Sequence, residues 1–274
     1  MIKQVGLVLM VIIGIVIAIG LYIFRPIINF DESKIPKDLV TSPFLDFDRI
    51  YAISKFRSGA GHDYSHGAIN GETCRSMKHY FNMSRSQDPQ THRPIRSQPT
   101  EGEPNIKIYA PFDGKITSAS AEHIGTQVHI SSDKYPYYIR IFHMDLLPEF
   151  KSGSKVRSGE WIGTIGPKDG TDFAVEANTL QGTVYLSYFE VMTDQVFEQF
   201  KNLGFKREDF IISKEYRDAH PFRCGGVQTN PLNKTEETFQ HEKNRGWMED
   251  YIFVREDPYP QPGQSPVQIG PPQK

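Results

Sequence analysis

The alternation of apolar and polar residues predicts short β-strands in the middle of the chain. Residues 126–130 (TQVHI) and 137–142 (YYIRIF) place β-branched or aromatic side chains beside polar ones with a period of two. Two further apolar runs, residues 108–116 and 153–166, contain glycine turns. Several short strands with glycine at their corners predict a mainly β fold, a small and strongly bent sheet or barrel.

Helical periodicity is confined to a few short segments. From Asp194 to Leu203 the apolar residues Val196, Phe197 and Phe200 recur at helical spacing, and Gly204 follows as a stop signal. The sequence therefore predicts one amphipathic helix after the strands.

The N-terminal run from Val5 to Phe24 has a different pattern, because it is apolar on every side and carries no charge. About 20 apolar residues match the thickness of a bilayer core, so we predict one transmembrane helix. Tyr22 and Arg25 stand where a signal peptidase would need small residues, which favours an uncleaved signal-anchor. A buried core helix is the alternative, and it is disfavoured because the segment is apolar on every face and begins almost at Met1.

The two cysteines, Cys74 and Cys224, help to predict the compartment in which the chain after the apolar run is located. We predict one disulfide between them, which an oxidising space would permit, and two unpaired buried thiols are the alternative. The basic residues that flank the apolar run do not settle its orientation. We expect a single-pass membrane protein with the bulk of the chain extracytoplasmic.

The composition and net charge of the chain argue against one class of function, nucleic-acid binding. The chain has 274 residues, of which 38% are hydrophobic and 23% charged, and a formal net charge of -2. These fractions are ordinary for a globular protein. The small negative net charge produces no positive electrostatic potential that would attract nucleic acid. The predicted organisation is a signal-anchor (1–26), a linker (27–55), a β domain (56–200), a C-terminal extension packed on that domain (201–256) and a Pro-rich tail (257–274).

Three blocks in the β region occur in a recognisable order: YAPFDGKI from Tyr109, FHMDL from Phe142, and GSKVRSGEWIGTIG from Gly153. Together they resemble the lysostaphin/LytM-like zinc endopeptidase family, also described as the duplicated hybrid motif fold. The resemblance spans Phe56 to Val191, about half of the chain. It implies a LytM-like barrel-sandwich hybrid, that is, a strongly bent antiparallel sheet.

The resemblance also implies a site in which His, Asp and His hold zinc and further histidines act on water. Asp63 falls on the family's aspartate, but Gly59 stands in place of the first histidine. His143 matches the histidine of the second block. The closing H-x-H element corresponds to Asp172-Phe-Ala174 or to Leu186-Ser-Tyr188, and neither contains histidine. We therefore expect a degenerate member with a vestigial cleft of Asp63, His143 and Asp172, and no cofactor.

A different set of ligands is the alternative to a lost site. His62, Asp63, His66 and His143 are candidates for a relocated zinc site. On a strand, however, His62 and Asp63 would point to opposite faces. The simpler arrangement is a hydrogen bond between Asp63 and His143, with His62 and His66 on a surface loop.

These observations favour a non-catalytic, membrane-anchored domain that serves as a binding, scaffold or structural subunit at the cell surface. The expected partners are the membrane, through residues 5–24, and a protein or a cell-wall or glycan ligand. The alternative function is a zinc metallo-endopeptidase that acts on cell-wall or surface peptides with the relocated ligands.

Overall fold

The computed structural model describes residues 10–18, 30–83, 106–165, 170–229, 235–240, 250–255 and 271. These ranges contain an 11-stranded antiparallel sheet and a separate two-stranded hairpin. The strands are β1 (Ile50–Ser54), β2 (His79–Met83), β3 (Lys107–Tyr109), β4 (Gly114–Ala121), β5 (Thr126–Ser132), β6 (Tyr138–Leu146), β7 (Lys155–Val156), β8 (Trp161–Ile165), β9 (Gly170–Thr179), β10 (Gly182–Leu186), β11 (Arg223–Thr229), β12 (Thr235–Gln240) and β13 (Tyr251–Phe253).

The helices are short, and α2, α3 and α4 lie between β10 and β11 in the chain. They are α1 (residues 10–18), α2 (Tyr188–Val191), α3 (Asp194–Lys201) and α4 (Lys214–Ala219), with 3-10 turns at Glu32–Lys34, Phe47–Arg49 and Arg207–Phe210. A mainly β, antiparallel fold with few helices is thus confirmed.

Strand β9 lies near the centre of the main sheet, in which eight strands follow the order β13-β1-β2-β9-β6-β5-β4-β7. The other three are β10, which pairs with β9, β8, which pairs with β6, and β3, which pairs with β8. Side chains alternate across a strand, so β9 has two faces. Phe173, Val175 and Ala177 belong to the hydrophobic core. Asp172 and Glu176 occupy the alternate positions, and both are buried. One strand therefore supports the core on one side and a polar cleft on the other.

The predicted strands correspond to observed ones with shifted ends. Residues 126–130 and 137–142 lie in β5 and β6, and the glycine-containing runs form β3 and β4, then β7 and β8. The predicted helix is α3, whose N-cap Thr193 accepts a hydrogen bond from the Val196 amide. Gly204 adopts a φ of 88° just beyond it, a conformation that glycine tolerates at a helix end.

The structure differs from the predicted linker (27–55) over residues 30–55, which it describes. Leu39, Val40, Phe44 and Leu45 are at most 2% exposed, and strand β1 joins the main sheet. The Phe44 ring lies 4.3 Å from that of Phe173 and 4.8 Å from that of Phe81. Isolated apolar residues without a period gave no strand signal, yet their side chains complete the core.

Only part of the predicted transmembrane helix is within the described residues, as helix α1. The remainder of Val5 to Phe24 lies outside them, as does the Pro-rich tail apart from residue 271. Among the described helices, none is both long and apolar enough to cross a membrane.

The C-terminal extension is connected to the β region in two ways. Strand β13 pairs with β1, and a disulfide joins Cys74 to Cys224 at the start of β11. The predicted disulfide is confirmed. The two cysteines are 150 residues apart in sequence. In the chain-entropy description, a disulfide that closes a loop of this length lowers the entropy of the unfolded chain and so stabilises the folded state by more than about 4 kcal/mol.

Candidate functional site

The polar cleft lies on the face of β9 opposite the core, between β2, β6 and the loop around His62. Strand β2 pairs with β9 so that Tyr80 lies opposite Asp172. Residues two apart on a strand share a face, so Lys78, just before β2, extends onto the side of Tyr80. Its neighbours Met77 and His79 are each 1% exposed.

The ammonium of Lys78 is the centre of this cleft. The Lys78 Nζ donates a hydrogen bond of 2.8 Å to Asp172 Oδ2 and lies 3.2 Å from His62 Nε2. It also lies 4.3 Å from the ring centroid of Phe142 and 4.8 Å from those of Tyr64 and Tyr80. With the Lys78 side chain only 1% exposed, the cation is held by protein groups rather than by water.

His143 reaches the same carboxylate from strand β6. Its Nε2 lies 3.6 Å from Asp172 Oδ2, and its Nδ1 lies 3.1 Å from Glu122 Oε2. The backbone N–H of His143 donates to the same Glu122 oxygen at 3.0 Å. Glu122 thus fixes both the backbone and the ring of His143.

The backbone of His143 explains how a residue inside a strand points into the cleft. Strand β6 pairs with β9 as far as Ile141 and with β8 from Met144 onward. Between these pairings the backbone of His143 has a φ of 57°, a value that residues other than glycine rarely adopt. Such a conformation costs on the order of 1 kcal/mol and is maintained by the surrounding contacts.

The charges of the cleft stabilise one another. Burial alone raises the pKa of Asp172, but the charge of Lys78, with the charge and hydrogen bond of His143, outweighs burial and keeps the pKa well below its usual range. Burial likewise raises the pKa of Glu122, and the hydrogen bonds and charge of His143 bring it below its ordinary value. Both carboxylates are therefore ionised at neutral pH.

A second carboxylate centre lies further along the same face of β9. Glu176 is 1% exposed and accepts hydrogen bonds from Tyr64 at 2.7 Å, Tyr138 at 2.8 Å and Arg140 at 3.0 Å. Burial, followed by the charge of Glu176, raises the pKa of Tyr64 and of Tyr138. The Tyr64 ring lies against Lys78 while its hydroxyl contacts Glu176, so this residue connects the two centres.

Two of the three residues predicted for the vestigial cleft, His143 and Asp172, come together. The structure assigns Asp63 different partners from His143: its Oδ1 accepts hydrogen bonds from the Ser65 amide and hydroxyl, at 3.0 and 2.6 Å, and from the Arg75 amide at 3.0 Å. Because a short side chain with three local donors fixes a turn, Asp63 organises the loop.

The four candidates for a relocated zinc site do not all come together. His62 lies in a loop rather than on a strand, and its Nε2 faces Lys78. His66 is exposed, and its backbone carbonyl accepts a hydrogen bond from Tyr185. Loop geometry, rather than strand alternation, thus directs His62 and Asp63 to different partners.

The structure also distinguishes the two registers of the closing element. Asp172 and Ala174 lie on β9 beside β6, where His143 is located. Leu186 and Tyr188 belong to the hydrophobic core instead. The first register therefore describes the cleft.

Sequence reasoning missed Lys78, Glu122 and Glu176. Lys78 precedes an alternating segment in which polar residues occupy the positions expected on a solvated face. Nothing in that pattern distinguishes a buried ammonium from an exposed one. Its burial depends on a contact with Asp172 across 94 residues of sequence.

The arrangement does not fit a zinc ion. In the ranges that the structure describes, no group of three His, Cys, Asp or Glu side chains is placed to hold a metal. The Asp172 Oδ2 and the His62 Nε2 instead face the Lys78 ammonium. A divalent cation added beside them would be repelled by that charge, so the cation already present disfavours the zinc that the family resemblance implies.

No protein-family model and no curated protein matches the chain. Similar solved structures include a zinc-containing peptidase from Vibrio cholerae, with 17% identity, a TM-score of 0.35, and coverage of 54% of this chain and 39% of that chain. The catalytic domain of lysostaphin from Staphylococcus simulans has 17% identity and a TM-score of 0.30, over 47% of this chain and 81% of that chain.

A third similar structure is the SpoIIQ-SpoIIIAH pore forming complex, with 13% identity and a TM-score of 0.37. The alignment covers 57% of this chain and 92% of that chain. The similar structures thus include zinc peptidases of the kind that the three sequence blocks resemble, and this chain spans well under half the length of the Vibrio protein.

Proposed function

We propose that this chain is a membrane-anchored, extracytoplasmic and non-catalytic LytM-like protein that serves as a binding, scaffold or structural subunit at the cell surface. The observation that carries the proposal is the Lys78 ammonium between Asp172 and His62. A metallo-endopeptidase needs an open cation site for its water, whereas Asp172 and His62 here face the buried Lys78 ammonium.

The proposed anchor is supported by the apolar N-terminal run. In helix α1 the large side chains of Met10, Val11, Ile12 and Val16 are between 51% and 70% exposed. Such a surface is costly in water and favourable in lipid. The Cys74–Cys224 disulfide supports an oxidising compartment for the domain.

The proposed partner is a protein or a cell-wall or glycan strand, since a domain without catalysis would act through binding. The Pro-rich segment 257–274 is a candidate docking strap, because extended proline segments bind with little loss of entropy. Extraction of the native membrane in mild detergent should then yield the chain in a complex, and recovery of monomer alone would count against a subunit role.

The loss of catalysis is tested on the full-length chain purified in detergent. After incubation with Zn²⁺ and dialysis, we expect no stoichiometric zinc by elemental analysis and no hydrolysis of cell-wall peptides. One equivalent of bound zinc together with hydrolysis that depends on His143 would reject the proposal.

The alternative proposal is a zinc endopeptidase with ligands drawn from His62, Asp63, His66 and His143. It is favoured by one observation, that His62 and His143 both approach the Lys78–Asp172 pair. If substitution of all three histidines by alanine leaves a measured peptidase activity unchanged, this alternative fails.

A further inference from the structure

The groups around Lys78 have the chemistry of a binding site for an organic cation. We infer that the cleft is a primary-ammonium site whose resident ligand is the Lys78 side chain of the protein itself. The inference rests on the proposed loss of catalysis and specifies which cation the cleft retains.

The coordination of Lys78 Nζ fits an ammonium better than a metal. One carboxylate oxygen at 2.8 Å and one imidazole nitrogen at 3.2 Å are at hydrogen-bond distances. Three aromatic rings, of Phe142, Tyr64 and Tyr80, lie within 4.8 Å. Ring faces attract ammonium ions but are not zinc ligands, which bind through N, O or S at about 2.0–2.3 Å.

The stem of Lys78 also keeps this cation in place. Its backbone lies between Met77 and His79, both 1% exposed, and the Lys78 side chain is itself 1% exposed. The ammonium is therefore tethered to the sheet and shielded from exchange with ions in solution. Asp172, only 5% exposed, receives its countercharge without any bound metal.

This inference predicts what a truncated side chain would leave behind. In Lys78→Ala the missing atoms are three methylene groups and the ammonium, which is the size of n-propylammonium. The remaining pocket would contain the Asp172 carboxylate, the His62 imidazole and the three rings. It should accept the small cation and regain part of the lost stability, because a ligand that binds the folded state raises its melting temperature.

The experiment measures Tm of full-length Lys78→Ala in detergent. n-Propylammonium chloride at ten times its Kd should raise Tm by about 3–6 °C, whereas wild type should not respond. Sodium chloride at equal ionic strength and the neutral isostere n-propanol are the matched controls. The double variant Lys78→Ala/Asp172→Asn should lose the response, since the carboxylate that pairs with the cation is gone.

Two results would overturn the inference. If Zn²⁺ stabilises Lys78→Ala and n-propylammonium does not, the cleft is a latent metal site. If a folded Lys78→Ala responds to neither, the rings and the carboxylate do not form an ammonium site.

A second comparison decides the question if Lys78→Ala does not fold. Lys78→Met keeps most of the stem and removes the charge, so it should melt below wild type, and adding Asp172→Asn should recover part of the loss. Equal Tm values for Lys78→Met and wild type would overturn the inference.

The wild-type zinc measurement distinguishes the two proposals. Zinc with His143-dependent hydrolysis in wild type rejects the proposed function whatever Lys78→Ala does. Absence of zinc in wild type, combined with no response of Lys78→Ala to n-propylammonium, rejects the ammonium site alone.

Discussion

The two carboxylates on the cleft face of β9, Asp172 and Glu176, are both buried but are neutralised in different ways. Asp172 Oδ2 faces two basic side chains, Lys78 at 2.8 Å and His143 at 3.6 Å. Glu176 divides its oxygens between two phenols and the guanidinium of Arg140. One centre is a charge pair, and the other is a hydrogen-bonded network with one cation at its edge.

The exposure of the two cations explains why the difference matters. The Lys78 side chain is 1% exposed, whereas that of Arg140 is 24% exposed. A cation that loses its partner at the second centre retains access to water, and one at the first centre does not. Burial of the partner cation, rather than burial of the carboxylate, should therefore set the cost of breaking each pair.

The largest expected effect is the difference between matched amide substitutions. Asp172→Asn leaves Lys78 as a buried cation without its carboxylate and should cost about 3–5 kcal/mol of unfolding free energy. Glu176→Gln keeps an acceptor for the phenols and should cost about 1–2 kcal/mol. Urea unfolding of both variants measures the difference, and equal losses would contradict the comparison.

A double variant tests whether the uncompensated charge is the cause. Lys78→Met/Asp172→Leu removes both charges and should be more stable than Asp172→Asn, because replacement of a buried ion pair by apolar groups is often close to neutral. The same unfolding measurement checks it. A double variant as unstable as the single one would point to packing instead of charge.

A smaller effect is expected in acid. The pKa of Asp172 is held below its ordinary value of 3.8 by Lys78 and His143, which outweigh burial. The stability from this ion is present above about pH 4 and is lost as the pH falls through the folded-state pKa. Between about pH 5 and pH 2, the unfolding free energy of Asp172→Asn should fall less steeply with decreasing pH than that of wild type. The difference in slope should correspond to the uptake of up to about one proton on unfolding. Tyr138→Phe, the control, should keep the wild-type slope.

The smallest effect is expected in alkali, at the Glu176 centre. Burial, then the charge of Glu176, raises the pKa of Tyr138 above its ordinary value of 10.0. The stability from the protonated phenol is present below about pH 10 and is lost as the pH rises through the folded-state pKa. Tyr138→Phe should lower the unfolding free energy by about 1 kcal/mol at pH 7. It should also make the loss of stability above pH 10 less steep, which thermal melts at a series of pH values would measure. An unchanged alkaline slope would show that another group causes the decline.

The predictions from sequence succeeded where a local pattern controls the structure. Alternation located β5 and β6, and helical spacing with a glycine stop located α3. The FHMDL block predicts His143 and the first register predicts Asp172 as cleft residues, and the structure places the two side chains 3.6 Å apart. Each of these signals is contained in fewer than fifteen consecutive residues.

They were incomplete where long-range contacts control the structure. Residues 27–55 have no period, yet Phe44 and Leu45 are in the core because the strands around them provide the surface. The resemblance predicts Asp63 in the cleft, but the loop that ends at Arg75 turns its carboxylate toward local amides. A loop conformation follows from such contacts, not from the order of residue types.

Local patterns in the sequence predict strands β3 to β8, helix α3, one disulfide and the absence of histidine at positions where the resemblance implies it, because periodicity and residue identity are local properties. The cation inside the cleft, in contrast, depends on long-range contacts. Pairing of β2 with β9 brings Lys78 to Asp172, which is 94 residues away in sequence. The backbone conformation at His143 brings its imidazole to the same carboxylate. An ammonium is buried only when a distant carboxylate and aromatic rings surround it together, which no local pattern specifies.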